Sequence, residues 1–171
     1  MGKEKRLPER LPEDQERAFP NLKDYVVTSP YDPCHNCIAF AAGNTSLWWE
    51  PLTIPKPGFY WPEGALREND NDDIEALKRC FSELGYKECE NGEMEVGYKK
   101  VALFAINKTE WTHAAVQDEN GNWSSKLGDG YDIRHNTPEC VAGPNYGTVA
   151  CFMKLAMAKT AIESSNSEEA E

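Results

Sequence analysis

Cys37 follows Asn36 at the head of the apolar run Ile38-Ala39-Phe40-Ala41-Ala42, which stops at Gly43. An amide able to cap the first turn and a glycine able to take a left-handed stop predict a short helix with the cysteine at its start. Orphan N–H groups and the positive end of the helix dipole stabilise a thiolate there, so Cys37 is a candidate nucleophile. A cysteine on an apolar helix is more often inert packing, and chemistry requires a base. Of the three histidines, His113 sits in Trp111 to Gln117 among the small residues Thr112, Ala114 and Ala115. Asp118-Glu119-Asn120-Gly121-Asn122 joins that run to Trp123 to Leu127, and Asn-Gly predicts a hairpin. With Asn120 and Gly121 in the two turn positions, Gln117 faces Ser124, Ala115 faces Lys126 and His113 faces Gly128. A hydrogen-bonded histidine on a solvated face explains His113 alone equally well. Helix-with-Cys followed by strand-with-His favours a Cys–His pair.

The second ring nitrogen of such a histidine needs a group that orients it. Tyr131-Asp132-Ile133-Arg134-His135 follows the hairpin and can return to His113. Asp132 is the preferred orienter, because a carboxylate fixes the tautomer and stabilises the imidazolium, and His135 is the alternative. Asp129 and Gln117 stay open for the same role. Lys126 complicates the scheme, since a nearby ammonium disfavours charge on His113, and its other use is to hold a substrate carboxylate.

These residues need a folded domain to position them. The 171 residues suit one domain, with 40% hydrophobic residues, five Trp, seven Tyr and six Phe. Eighteen Lys plus Arg against 29 Asp plus Glu give a formal charge of -11, which repels a phosphate backbone and disfavours nucleic acid as a partner. No apolar run approaches a membrane span, and no export signal is visible in Met1 to Pro20, so the expectation is a soluble cytoplasmic protein with reduced thiols. Residues 1–18 read as a flexible extension, 19–159 as one α+β domain and 160–171 as an acidic disordered tail. Asp72 to Leu84 has Ile74, Leu77, Cys80, Phe81 and Leu84 at helical spacing and stops at Gly85. Tyr98 to Ile106 is apolar on both faces, as a covered central strand should be. Leu47 to Pro62 is proline-rich and aromatic, an irregular wall rather than a helix. Tyr146 to Leu155 is a closing strand or the start of a C-terminal helix. The predicted order is helices first, then an antiparallel sheet.

Asn36-Cys37-Ile38-Ala39-Phe40-Ala41, His113-Ala114-Ala115, Trp123-Ser124-Ser125-Lys126-Leu127-Gly128 and Asp132-Ile133-Arg134-His135 make the chain look like an uncharacterised bacterial domain family, over about Tyr31 to Met153. In layout it also resembles the papain-like superfamily, in particular the cell-wall amidase-like and transglutaminase-like branches. That resemblance implies N-terminal helices packed on a C-terminal antiparallel sheet, Cys37 as nucleophile, His113 as base and a polar orienter on or after the next strand. It implies attack on a peptide, small amide or ester substrate without a cofactor. The glutamine that papain places before its cysteine is absent; Tyr31 stands near that offset and Asn36 is adjacent, so these two and the Cys37 N–H are the oxyanion candidates.

Two other classes compete. Cys34-His35-Asn36-Cys37 is a Cys-x-x-Cys, which suits a thiol–disulfide oxidoreductase with His35 lowering a thiolate pKa. The sheet lies downstream of it and antiparallel, unlike the βαβ unit such sites use. A noncatalytic binding module on the same fold is the other reading. A zinc site from Cys34, Cys37 and two of Cys80, Cys89, Cys140 or His135 lacks close spacing in its second half, so no metal is expected. Cys80 and Cys151 read as packing.

Overall fold

The computed structural model describes residues 7–30, 32–127 and 130–157. Its centre is β5 (Tyr98–Ile106), whose Val101, Ala102, Leu103 and Phe104 are all fully buried because both faces of the sheet are covered. The sheet has seven strands in the order β1-β8-β7-β6-β5-β9-β4. These strands are β1 (Tyr25–Ser29), β4 (Lys87–Cys89), β6 (Glu110–Gln117), β7 (Trp123–Lys126), β8 (Asp132–His135) and β9 (Thr148–Ala156) around β5. Every neighbouring pair is antiparallel. The architecture is α+β.

Alternation along β5 and β6 splits the core in two. Val101, Leu103 and Ala114 face α2 (Cys37–Ala42) and α3 (Ile74–Glu83), packing with Ile38, Leu77 and Phe81. Ala102, Phe104 and Ala115 face the other way, against Leu11, Phe19 and Leu22. The helix expected over Asp72 to Leu84 is α3, with Asp73 as the cap whose side chain accepts from Glu75 N–H. Each fully buried Leu or Phe of this kind is worth about 1.5–3 kcal/mol.

Three expectations are corrected and one open alternative is decided. Leu11 is 4% exposed and α1 (Glu13–Ala18) follows it, so the extension expected over residues 1–18 is structured in that part. Helices do not all precede the sheet: β1 comes before α2 and pairs with β8 at the sheet edge, as its β-branched Val26-Val27-Thr28 would favour. Residues 148–156 are strand β9 throughout, paired to both β5 and β4. The aromatic wall contains a short parallel pair, β2 (Trp48–Trp49) with β3 (Phe59–Tyr60). The tail expected over residues 160–171 and the domain's last two residues, 158 and 159, lie outside the described residues. No helix among the described residues is long and apolar enough to cross a membrane.

Candidate functional site

Local rules place Cys37 where the sequence puts it. Asn36 Oδ1 accepts the N–H of Ala39 at 3.0 Å, and Gly43 takes φ 87° at the other end of α2. The same Oδ1 accepts Trp49 N–H at 3.2 Å, while Nδ2 donates to Trp49 O at 2.7 Å. Asn36 is therefore committed to capping α2 and tying it to β2, which removes its side chain from the oxyanion role. Tyr31, the other oxyanion side chain, lies outside the described residues.

The Cys37 thiol donates toward Thr112 O at 4.0 Å and receives a backbone hydrogen bond from Ala114. Those are the two residues flanking His113. The sulfur reaches them because the β6–β7 ladder pairs only Val116 with Ser124 and Gln117 with Trp123, leaving the rest of β6 without a β7 partner. Burial pushes this thiol up to about 11, against the lowering effect of backbone N–H groups and Lys126. The resting state is a neutral thiol, not the thiolate expected from the helix dipole: desolvation outweighs a six-residue helix.

The register of the hairpin is one residue away from the expected one: Gln117 faces Trp123 rather than Ser124. A slip of one exchanges faces, and it brings Ser125, not Lys126, to His113's side. His113 Nε2 meets Ser125 Oγ at 3.0 Å, and the same Oγ meets His135 Nε2 at 2.8 Å. The contacts are diagonal ones across adjacent strands, with His135 opposite Trp123 in β8. His135 Nδ1 lies 2.7 Å from Thr137 O. All three side chains of this chain are buried, His113 completely.

A carbonyl only accepts, so with both histidines neutral the direction of the whole chain follows from its last link. His135 Nδ1 carries the proton that Thr137 O receives, which leaves His135 Nε2 as an acceptor. Ser125 donates its hydroxyl proton there and accepts from His113 Nε2–H. The proton of neutral His113 is thereby assigned to Nε2, and its Nδ1 has a bare lone pair. That Nδ1 is buried and has no hydrogen-bond partner among the described residues. Tyr146 stacks on the imidazole with centroids 4.0 Å apart at 4°, and Phe104 presents a tilted ring at 5.3 Å. Burial among these rings holds His113 well below its ordinary pKa, and His135 adds to the shift.

Asp132 is not the orienter. It pairs across the ladder with Lys126, whose Nζ is 3.7 Å from Asp132 Oδ1 and donates to Gly130 O at 2.6 Å. Lys126 is fully buried, so it neutralises Asp132 instead of presenting an ammonium to a substrate in solution. Burial still raises the Asp132 carboxyl, opposed by Lys126. Its Oδ1 and both ring nitrogens of the buried His35 lack hydrogen bonds among the described residues, although Asp32 lies 3.5 Å from His35 Nδ1. Asp129 lies outside the described residues, and Gln117 donates to Gly92 O.

Sequence reasoning missed Ser125, Tyr146 and Cys140. Cys140 is half-buried beside Thr137, 3.5 Å from its Oγ1, and its thiol is drawn down to about 6, chiefly by its interaction with the His135 side chain. In the Cys-x-x-Cys, Cys34 is exposed and Cys37 buried; both thiols are free, and Asp32 beside Cys34 raises its pKa. No group of three or more His, Cys, Asp or Glu among the described residues is placed to hold a metal ion.

A family model covers residues 26–154, which include Cys37, Ser125 and both relay histidines. The chain belongs to the DUF7689 family, a domain of unknown function. Neither the curated proteins nor the solved structures contain a match. The match starts within β1 and ends within β9, so α1 and the segment before β1 lie outside it; Leu11, Phe19 and Leu22 of that segment pack against one face of the sheet.

Proposed function

We propose that this DUF7689 protein is a cysteine hydrolase or acyltransferase of papain-like layout, acting on an amide or ester through Cys37 and His113. The observation that supports the reading is the Cys37 sulfur at the start of α2, held against the Thr112 and Ala114 backbone on either side of His113; the His113 ring itself turns to the other face of the sheet with Phe104, Tyr146 and Ser125, so β6 has to shift for the pair to meet. Ser125, His135 and Thr137 O hold the opposite nitrogen, which is the work assigned at sequence level to Asp132.

Both groups rest neutral, so proton transfer accompanies attack as in a hydroxyl–imidazole pair. Once a shift of β6 brings the His113 ring to the Cys37 face, the thiol proton moves to His113 Nδ1 as sulfur bonds to the carbonyl carbon. His113 then gives that proton to the departing amine or alkoxide as the carbon–nitrogen or carbon–oxygen bond breaks, leaving a thioester. Water, deprotonated by Nδ1, hydrolyses it, or an amine takes the acyl group. The N–H of Cys37, at the first helical position, is the oxyanion donor left after Asn36 is committed.

The test is p-nitrophenyl acetate followed by acid quench and site-resolved mass spectrometry. Acetyl is expected on Cys37, with at least about a hundredfold slower acylation in His113→Gln and no change in Cys34→Ser. Acetylation confined to other cysteines, or indifferent to His113→Gln, overturns the proposal; dependence on Cys34 would favour the oxidoreductase.

A further inference from the structure

The aromatic wall borders an open cavity of about 480 Å³, within the range that holds small ligands. Phe59, Tyr60 and Trp61 line it together with Glu50, Glu63 and Lys56. Trp61 is 7% exposed, and its indole N–H has no acceptor among the described residues. Two chains of packed residues lead from the cavity toward the proposed nucleophile. Tyr60 packs on Trp49 with centroids 4.7 Å apart, and Trp49 is the residue tied to Asn36. Trp61 stacks on Trp111, next in sequence to the Thr112 that faces the Cys37 sulfur.

We propose that this cavity binds a cationic side chain, lysine or arginine, of the peptide whose carbonyl Cys37 attacks. The substrate half of this statement rests on the hydrolase reading; the binding half does not. Aromatic faces and two carboxylates make up the recognition chemistry of an ammonium or guanidinium. The cavity already displays it, since the Lys56 ammonium sits 4.7 Å above the Phe59 ring. A ligand cation takes the place of Lys56, which is exposed and leaves for solvent. The chain's net charge of -11 draws such peptides toward it and repels anionic ones.

The experiment titrates Cys37→Ala protein with acetyl-Gly-Lys-Gly-amide and its norleucine counterpart, reading Kd and the Trp61 indole N–H resonance by NMR. The lysyl peptide should bind about tenfold tighter or more and move that resonance. Glu50→Gln with Glu63→Gln, both exposed positions that leave the core intact, should abolish the preference, and Lys56→Gln should tighten binding. Equal affinity for the norleucine peptide, or no binding of either at millimolar concentration, overturns the subsite. Lysyl binding without any Cys37 acylation in the wild type would sink the hydrolase and keep the cation site. Acylation by lysyl and norleucyl esters with equal kcat/KM would do the reverse.

Discussion

Replacing Ser125 by alanine should break the relay while leaving both histidines in place. Ser125 is fully buried, and its hydroxyl bonds both His113 Nε2 and His135 Nε2. Its loss strands one buried donor and one buried acceptor, at about 1–3 kcal/mol each, or about 2–6 kcal/mol together. Against a total stability of about 5–15 kcal/mol that is large, and in a chain of this size it lowers Tm by roughly 4–24 °C. Urea unfolding followed by tryptophan fluorescence measures it, with an unchanged m-value showing that only stability moved. Ser125→Ala and His135→Ala remove the same link, so their costs should fall short of adding by about 0.5–3 kcal/mol in a double-mutant cycle.

The same variant tests the tautomer. Long-range proton–nitrogen NMR correlations should show wild-type His113 protonated at Nε2 and bare at Nδ1, with the two forms mixed in Ser125→Ala. A wild-type His113 carrying its proton on Nδ1 would refute the direction deduced from Thr137 O, and with it the base. A stability loss below about 0.5 kcal/mol, the level of an ordinary surface change, would refute the energetic part.

Iodoacetamide at neutral pH should label Cys140 well before Cys37: a thiol at about 6 is mostly ionised at pH 7, one at about 11 is about one part in ten thousand thiolate, and peptide mapping reads the order. Stability should fall on acidification below about pH 6.5, because the unfolded chain binds a proton there that buried His113 refuses; the slope is up to about 1.4 kcal/mol per pH unit and should flatten in His113→Gln. Lys126→Met should cost about 3–5 kcal/mol at pH 7 by leaving Asp132 buried and alone. Since burial already raises that carboxyl, the penalty should shrink as pH falls and Asp132 protonates, whereas a pH-independent loss would contradict the pairing. Asn36→Ala should lower stability by about 2 kcal/mol or more, through the lost cap and the stranded Trp49 backbone, read by thermal unfolding.

What could be read in the sequence was what local rules decide. Asn36 and Gly43 bound α2 because a cap and a left-handed stop are properties of single residues, and β5 runs over the expected Tyr98–Ile106 because a doubly covered strand is apolar throughout. The relay was hidden by one residue of register. Asp118 Oδ1 accepts the N–H groups of Asn120 and Asn122, and Asp118 N–H donates to Asn122 O, so the connection closes around Asp118 instead of as a two-residue turn at Asn120-Gly121. That choice is made by one side chain, yet through the period of two it decides whether Ser125 or Lys126 accompanies His113. Lys126 was then free to be matched with Asp132 on the other face, which is why the carboxylate chosen as orienter became half of an ion pair. The Cys37 thiolate failed for a different reason. Helix position is visible in sequence, whereas the depth of burial that raises the thiol is a sum over the entire core, and here it outweighs the six-residue helix. The same burial acts on both groups in opposite directions, so the imidazole and the thiol each rest neutral.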